Sequence, residues 1–401
     1  MPWMETEPVT ERMEFVMRVK SGLYTMAEAC RRSGVSRKTG YKIWNRYESE
    51  GVDGLRDQSR RPHRSPTRTP EEIEELIVDL RTKHTDWGPK KLSKILSSRF
   101  PDVEFPAKST IAAILKRRGL VEEPKRRRIH THPGKPFIEA TMPNDLWTTD
   151  FKGEFKTGDG VYCYPLTVAD QVARYLLACE GLPSTRTVGV RPIFEKLFRE
   201  NGLPNGILSD NGSPFASRSI HGLTALNVWW MQLGIRHFRI EPGKPQQNGR
   251  HERMHRTLKA KTTRPPACDM PRQQILFDEF RHEFNEIRPH EALDQETPAS
   301  VWKPSTRQMP DKIRRPEYPG HFRKRTVCDA GTFRFKGERI FITQALEHQC
   351  IGLEETDDGV WSIYFYDSLL ARVDAVSYTH LRAHETQEVI SYAVFCLKKG
   401  G

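Results

Sequence analysis

GKPQQNGRHERMHRTLK, residues 243 to 259, holds one carboxylate, Glu252, among five Lys and Arg residues and two histidines. A lone acid in so basic a stretch has an ordinary explanation: Arg256 lies four residues on, and an exposed helix often carries such an i,i+4 pair. The other explanation is chemical. An acid held against a polyanion, surrounded by cations that grip it, suits a metal ligand facing a phosphate backbone. The rest of the chain decides between them.

The 401 residues are too many for one ordinary domain, and 64 Lys and Arg against 52 Asp and Glu leave a net charge of +12. A basic excess spread over a long chain points to an anionic polymer as partner. No run of eighteen apolar residues exists, so no membrane span is expected. MPWMETEPVTERMEF has neither the basic nor the apolar region of a secretory leader. Seven cysteines are scattered without a CxxC pair, which suits a reducing cytoplasm and neither a zinc knuckle nor a disulfide framework.

Along the chain, TMAEACRRSGVSRKTGYKIWNRYESEG (25–51) reads as two short helices about a turn at Gly34, capped by Thr25 and Ser36. Phe15, Val16 and Val19 mark a helix before them, and Ala29, Val35, Ile43 and Trp44 would form the core. This is a helix-turn-helix pattern over 10–55. It places Ser36, Arg37, Lys38, Thr39, Tyr41 and Lys42 at the start of a recognition helix; the plainer reading is a three-helix bundle with a basic surface. A Pro- and Arg-rich linker spans 56–69. Residues 70–123 repeat the helical pattern, with Ser109 and Thr110 opening its third helix, and a second basic linker follows over 124–143.

From Asn144 the pattern changes. DLWTTDFKG, VYCYPLTVAD and RYLLACEGL read as strands, TVGVRPIFEKLFRENG as a helix, GILSDNGSPF as a strand, LTALNVWWMQLG as a helix and IRHFRIEP as a strand. That order makes 144–305 a mixed α/β domain with an antiparallel start and a parallel continuation. Short β runs over 325–375 suggest a small SH3-like β-barrel.

Asp150 and Asp210 each end a β run, and Glu252 opens a helix after the third such run. Strand ends in α/β sheets are where sites are built. Three carboxylates brought together repel one another unless a cation intervenes, and hard oxygen ligands suit Mg²⁺ or Mn²⁺. Two such ions can flank a phosphodiester. Arg256 and Lys259 would then hold phosphates. Asp170 and Asp145 read as turn residues, Trp147 as core, and His251 and His255 as phosphate or surface contacts rather than general bases.

WTTDFKG, LSDNGSPF and PQQNGRHERMHRTLK together resemble the three blocks of the DDE integrase core shared by retroviral-type integrases and bacterial insertion-sequence transposases. FNEIRPHEALDQETPASVW resembles the segment that follows that core in the bacterial proteins. The resemblance spans about residues 15 to 375. It implies a ribonuclease H-like fold, with Asp150, Asp210 and Glu252 as catalytic metal ligands for two ions and Asn211 and Gly212 shaping the turn beside Asp210. It also implies end-binding, strand cleavage and strand transfer on double-stranded DNA by a homo-oligomer at a bacterial nucleoid. The retroviral zinc-binding domain has no counterpart here, so no zinc is implied. The rival reading is an inactive or domesticated DNA-binding regulator, which has no use for three carboxylates facing DNA. A plain ribonuclease H-like nuclease would leave the paired N-terminal units unexplained.

VSYTHLRAHETQEVISYAVFCLKKGG, from Val376, resembles one reading frame of a sequencing-library adapter followed by its flow-cell primer. That resemblance implies a native sequence interrupted near Ala375, and no function is assigned to 376–401.

Overall fold

The computed structural model describes residues 7–57, 68–121, 139–217, 222–241, 245–374 and the backbone of 380–381. Most of both basic linkers, and all but two residues of the adapter-like segment, lie outside these. Two compact units are present, Met1–Pro70 and Glu71–Gly401.

The first unit is three helices: α1 (Pro8–Lys20), α2 (Met26–Arg32) and α3 (Arg37–Glu50). Thr25 caps α2 by accepting from the Glu28 N–H, and Ser36 caps α3 by accepting from the Thr39 N–H. Phe15, Val16, Ala29, Cys30 and Leu55 are its core, with Val35, Ile43 and Trp44 packed on it half-buried. Gly40, which sequence reading passed over, sits where the helices cross. A Cβ there would stand 2.3 Å from Cys30 Sγ and 3.0 Å from Phe15 Cζ.

The second unit begins with α4 (Glu71–Lys83), α5 (Pro89–Arg99) and α6 (Lys108–Arg117), closed over Ile77, Trp87, Leu92, Leu96, Ile111 and Leu115. These helices are docked on the segment that follows the α/β domain. Ile287 packs into their core, Arg288 and Lys261 pair with Asp86, and Lys94 donates to Glu296 at 2.7 Å.

The α/β domain is a mixed sheet. Strand β1 (Trp147–Phe151) pairs antiparallel with β3 (Tyr162–Asp170) and parallel with β5 (Gly206–Ser209). β4 (Leu176–Leu182) joins β3 antiparallel, and β6 (Arg236–Arg239) joins β5 parallel. The antiparallel start and parallel continuation are as expected. A two-residue strand, β2 (Phe155–Lys156), also pairs with β3; it is too short to leave a periodic signal.

Helices cover both faces. α7 (Thr187–Asn201) and α8 (Ala225–Gln232) bury Phe194, Phe198, Trp229 and Trp230 against Trp147, Val168 and Ile207. α9 (Gly249–Thr262) and α10 (Met270–His282) bury Met254, Leu258, Phe277 and Phe280 against Ala169, Leu176 and Cys179. Alternation along β1 sends Trp147 to the first face and Thr148 and Asp150 to the second.

The C-terminal strands form where expected: β7 (Arg323–Thr326), β8 (Thr332–Phe335), β9 (Glu338–Phe341), β10 (Cys350–Asp357), β11 (Val360–Phe365) and β12 (Ser368–Asp374). They do not close into the expected barrel. The order β7-β10-β11-β12 is one antiparallel ladder, extended by β13 (His380–Leu381), and β8-β9 is a separate hairpin. Both pack on one core with Phe335, Ile351, Trp361 and Ile363, and Val228 of α8 joins it. Two short layers bury these apolar faces without pairing edge to edge.

The Asp86–Arg288–Lys261 cluster carries a stability prediction. Burial opposes ionisation of Asp86, but Arg288 and Lys261 outweigh it and hold its carboxyl below the usual range. A depressed folded value means its contribution is present above the unfolded carboxylate range and lost as the pH falls below it. Arg288→Ala is expected to cost about 1–3 kcal/mol near neutral pH and nearly nothing in acid, measured by urea unfolding.

Candidate active site

Sheet register sets the first two acids side by side. Thr149 pairs with Ser209 across the parallel β1–β5 ladder, so Asp150 and Asp210 are the next residues on adjacent strands. Asp210 accepts from the Gly212 N–H at 3.1 Å, and Asn211 Nδ2 donates to the Ile240 carbonyl at 2.8 Å. A side chain at 212 would crowd the acid: a Cβ there would lie 2.9 Å from the Asp210 carboxylate, which would have to shift.

Helix α9 has three faces, as its 3.6-residue period requires. His251, Met254, His255 and Leu258 are buried against the sheet. Glu252, Arg256 and Lys259 lie exposed along one flank, and exposed Arg250 and Arg253 with half-buried Thr257 along the opposite one. Glu252 and Arg256 form no ion pair among the described residues, so the ordinary i,i+4 explanation of Glu252 is not realised.

His251 and His255 correct the expectation of surface or phosphate contacts. Both are about 4% exposed or less, and burial lowers His251 to about 3 and His255 to about 2. They are neutral and enclosed. Their anchor is Thr167, paired with Asp150 across β1–β3. Thr167 Oγ1 donates to the Asp150 carbonyl at 3.0 Å and lies 2.7 Å from His251 Nε2 and 2.6 Å from His255 Nε2. Thr148 Oγ1 is 2.8 Å from His251 Nδ1. Thr167 accepts from both rings when each carries the Nε2 proton, a tautomer assigned from these partners; the one proton of Thr148 is then shared between His251 Nδ1 and the Ala169 carbonyl at 3.1 Å. His255 Nδ1 then faces Asp150 Oδ2 at 3.7 Å. The spacing His251, His255, Leu258, Thr262 was a signal for this buried face; the surrounding arginines masked it.

Burial raises Asp150 to about 7, and the neighbouring charges of Asp210 and Glu252 push the same way. Burial raises Asp210 as well. This is the signature of carboxylates gathered without enough countercharge, and it fits a site for a hard divalent cation. The three acids do not converge on one point: among the described residues, the only three metal-ligating groups with mutual distances within 4.8 Å are Asp329, Glu347 and His348, all exposed. Asp150 is the acid that feels the charge of both others.

The remaining sequence candidates divide cleanly. Ser36, Arg37, Lys38, Thr39, Tyr41 and Lys42 are all exposed at the cap and first turns of α3, and Ser109 and Thr110 are exposed in the first turn of α6. Trp147 is fully buried and donates to Asn144 Oδ1. Asp145 accepts from the N–H groups of Thr141 and Met142, and Asp170 from those of Asn144, Val172 and Ala173. Both are turn residues.

Comparison with known proteins follows the same division. Integrase core domain profiles match residues 140–245 and 233–298. A helix-turn-helix domain profile matches 11–63 and a homeodomain-like one 39–115. The 39.2 kDa insertion element IS476 protein of Xanthomonas euvesicatoria is 25% identical over 281 residues, 69% of this chain and 77% of that one. The Gag-Pol polyprotein of avian reticuloendotheliosis virus is 33% identical over 123 residues, 30% of this chain and 10% of the polyprotein. The magnesium-bound catalytic core of HTLV-2 integrase is 15% identical, covering 41% of this chain and 99% of that domain at a TM-score of 0.33. Residues 140–298 thus match an integrase core domain and residues 11–115 match helix-turn-helix and homeodomain-like domains. Its sequence is similar both to proteins of bacterial insertion elements and to retroviral polyproteins. No helix among the described residues is long and apolar enough to cross a membrane.

Two outcomes test the geometry. With its folded value raised to about 7, Asp150 keeps its proton in the native state after the unfolded chain has lost it. Stability of the metal-free protein therefore falls as the pH rises from the ordinary carboxylate range through about 7. Thermal unfolding in chelator should show this fall in the wild type and a flatter profile in Asp150→Asn. Thr167→Val should leave the fold intact and weaken Mn²⁺ binding roughly 10-fold or more, the usual effect of losing a partner that orients a ligand, measured by calorimetry.

Proposed function

We propose that the chain cuts and joins DNA strands at the ends of its element. The exposed polar and basic first turns of α3 and of α6 would each read a major groove at the terminal repeats. Asp150, Asp210 and Glu252 would hold two Mg²⁺ or Mn²⁺ ions. Bound there, the ions make water or a 3′ hydroxyl nucleophilic and stabilise the leaving oxygen.

The reaction balances as two in-line displacements. Water attacks the phosphorus at the element boundary, the P–O3′ bond breaks, and the departing oxygen takes up a proton to become the free 3′ hydroxyl of the element. That hydroxyl oxygen then attacks a target phosphorus, its proton passes to solvent, and the target's own P–O3′ bond breaks. This chain's share is placement. Arg256 and Lys259, on the Glu252 flank of α9, grip the phosphates beside the scissile bond, and Thr167 fixes the β1 backbone and α9 relative to each other. His251 and His255 are enclosed and neutral, so neither exchanges a proton with substrate. Joining two ends at one target requires at least two copies in the DNA complex, acting in the cytoplasm at the nucleoid.

The observation that supports this reading best is Asp150: a half-buried carboxyl raised by desolvation and by two further acids, on a chain otherwise rich in cations. Strand cleavage and joining on duplexes carrying the element's flanking repeats, with Mg²⁺, is the test. The several kcal/mol a cation contributes corresponds to roughly 10³-fold in rate. Glu252→Gln should lose at least that while still binding DNA. Binding without chemistry in the wild type would favour the regulator. Lys38→Ala should weaken binding and reduce the salt slope by about 1.

A further inference from the structure

On the flank of α9 opposite Glu252 lies a cavity of about 280 Å³, bounded by α5, the β3–β4 turn and the segment after α10. Lys91, Arg174, Arg250, Arg253 and Arg288 line it. Two carboxylates also do, Asp170 and Glu291; they offset part of the charge but leave the five cations in excess. Asp170 is committed to three turn N–H groups, and Glu291 pairs with Lys90. Arg288 is held by Asp86. Lys91, Arg174, Arg250 and Arg253 form no ion pair among the described residues.

So many cations facing a partly enclosed space is unfavourable unless an anion enters. The cost is visible in the groups themselves. Burial and the nearness of Arg288 lower Lys91 to about 8; burial, then Arg250 and Arg253, lower Arg174 to about 10. Arg174 is also held in the left-handed backbone region, at φ 61°, a conformation uncommon outside glycine and found where a site has use for it. Asp170 maintains that turn. The side-chain amide of Gln171 is 6% exposed, reaches the same cavity and has an Oε1 without a partner. Turned over, that amide would offer its NH₂ to a phosphate oxygen.

We propose that this cavity binds a backbone phosphate of a DNA strand, held jointly by Lys91 of the second helical unit and the arginines of the integrase core, at a site separate from the three carboxylates. The volume is near the roughly 300 Å³ at which small-ligand pockets begin, enough for a phosphate and part of its nucleotide. Because Lys91 lies on α5 and Arg253 on α9, the phosphate would tie the DNA-reading helices to the helix that carries Glu252. The assignment rests on the strand-transfer reading for the identity of the polymer. The cavity's need for an anion stands apart from it.

The test uses the full chain in chelator, so that no chemistry occurs. Lys91→Gln with Arg253→Gln is compared with wild type, with Arg253→Gln alone as a second variant at an exposed position, and with Glu252→Gln. Inorganic phosphate, against chloride at matched ionic strength, should raise the unfolding midpoint of wild type and Glu252→Gln and lose most of that effect in the double variant. Anisotropy with a repeat-bearing duplex should show roughly tenfold weaker binding by the double variant and a log–log salt slope reduced by about 1. An unchanged slope and affinity would overturn the proposal. Loss of the phosphate effect with an unchanged DNA slope would overturn the DNA assignment and leave a free-anion site. Failure of strand cleavage by wild type, with the slope change present, would count against the proposed activity and not against this site.

Discussion

One hydroxyl holds the site together. Thr167 Oγ1 bonds the backbone of Asp150 and lies within hydrogen-bond distance of both buried histidines of α9. Strand β1 and helix α9 come from residues about a hundred apart in the chain, and a helix lying on a sheet can slide or roll by a residue when only apolar contacts hold it. A polar node buried in an apolar layer resists this, because any shift leaves hydrogen-bonding groups unsatisfied at about 1–3 kcal/mol each. The rotational setting of α9 follows, and with it the direction of Glu252.

That setting gives α9 its division of labour. The buried face carries the histidines and Leu258. One flank carries Glu252 with Arg256 and Lys259; the other carries Arg250 and Arg253 into the basic cavity. A single helix thus carries an exposed acid on one flank and cations without ion pairs on the other, an arrangement suited to a polyanion met at more than one phosphate. The Asp86 ion pairs extend the arrangement by seating the second helical unit against the α9 and Arg288 side of the core.

Much of this was legible in the sequence. The caps at Thr25 and Ser36, the strand ends at Asp150 and Asp210, the turn roles of Asp145 and Asp170 and the burial of Trp147 follow from local chemistry, which a single chain displays. What was not legible depends on long-range packing. His251 and His255 looked like members of a basic exposed stretch because composition outweighed their i,i+4 spacing. Arg174 and Lys91 are neighbours only through the fold. The C-terminal strands were placed well by alternation, yet whether their edges pair into a closed barrel is a tertiary outcome, and here a ladder and a hairpin share one core instead. Gly40 and Gly212 were ordinary turn or helix glycines until the close approach of Cys30 and of the Asp210 carboxylate gave each its reason.

The central claim is that Asp150, Asp210 and Glu252 together form one cation centre. Anomalous scattering from Mn²⁺ in crystals of the Glu252-intact protein bound to its element end tests it most directly. The expected result is two peaks flanking the scissile phosphate, within coordination distance of Asp150, Asp210 and Glu252. Peaks confined to the exposed Asp329, Glu347 and His348 cluster, or none near Asp150, would contradict the account.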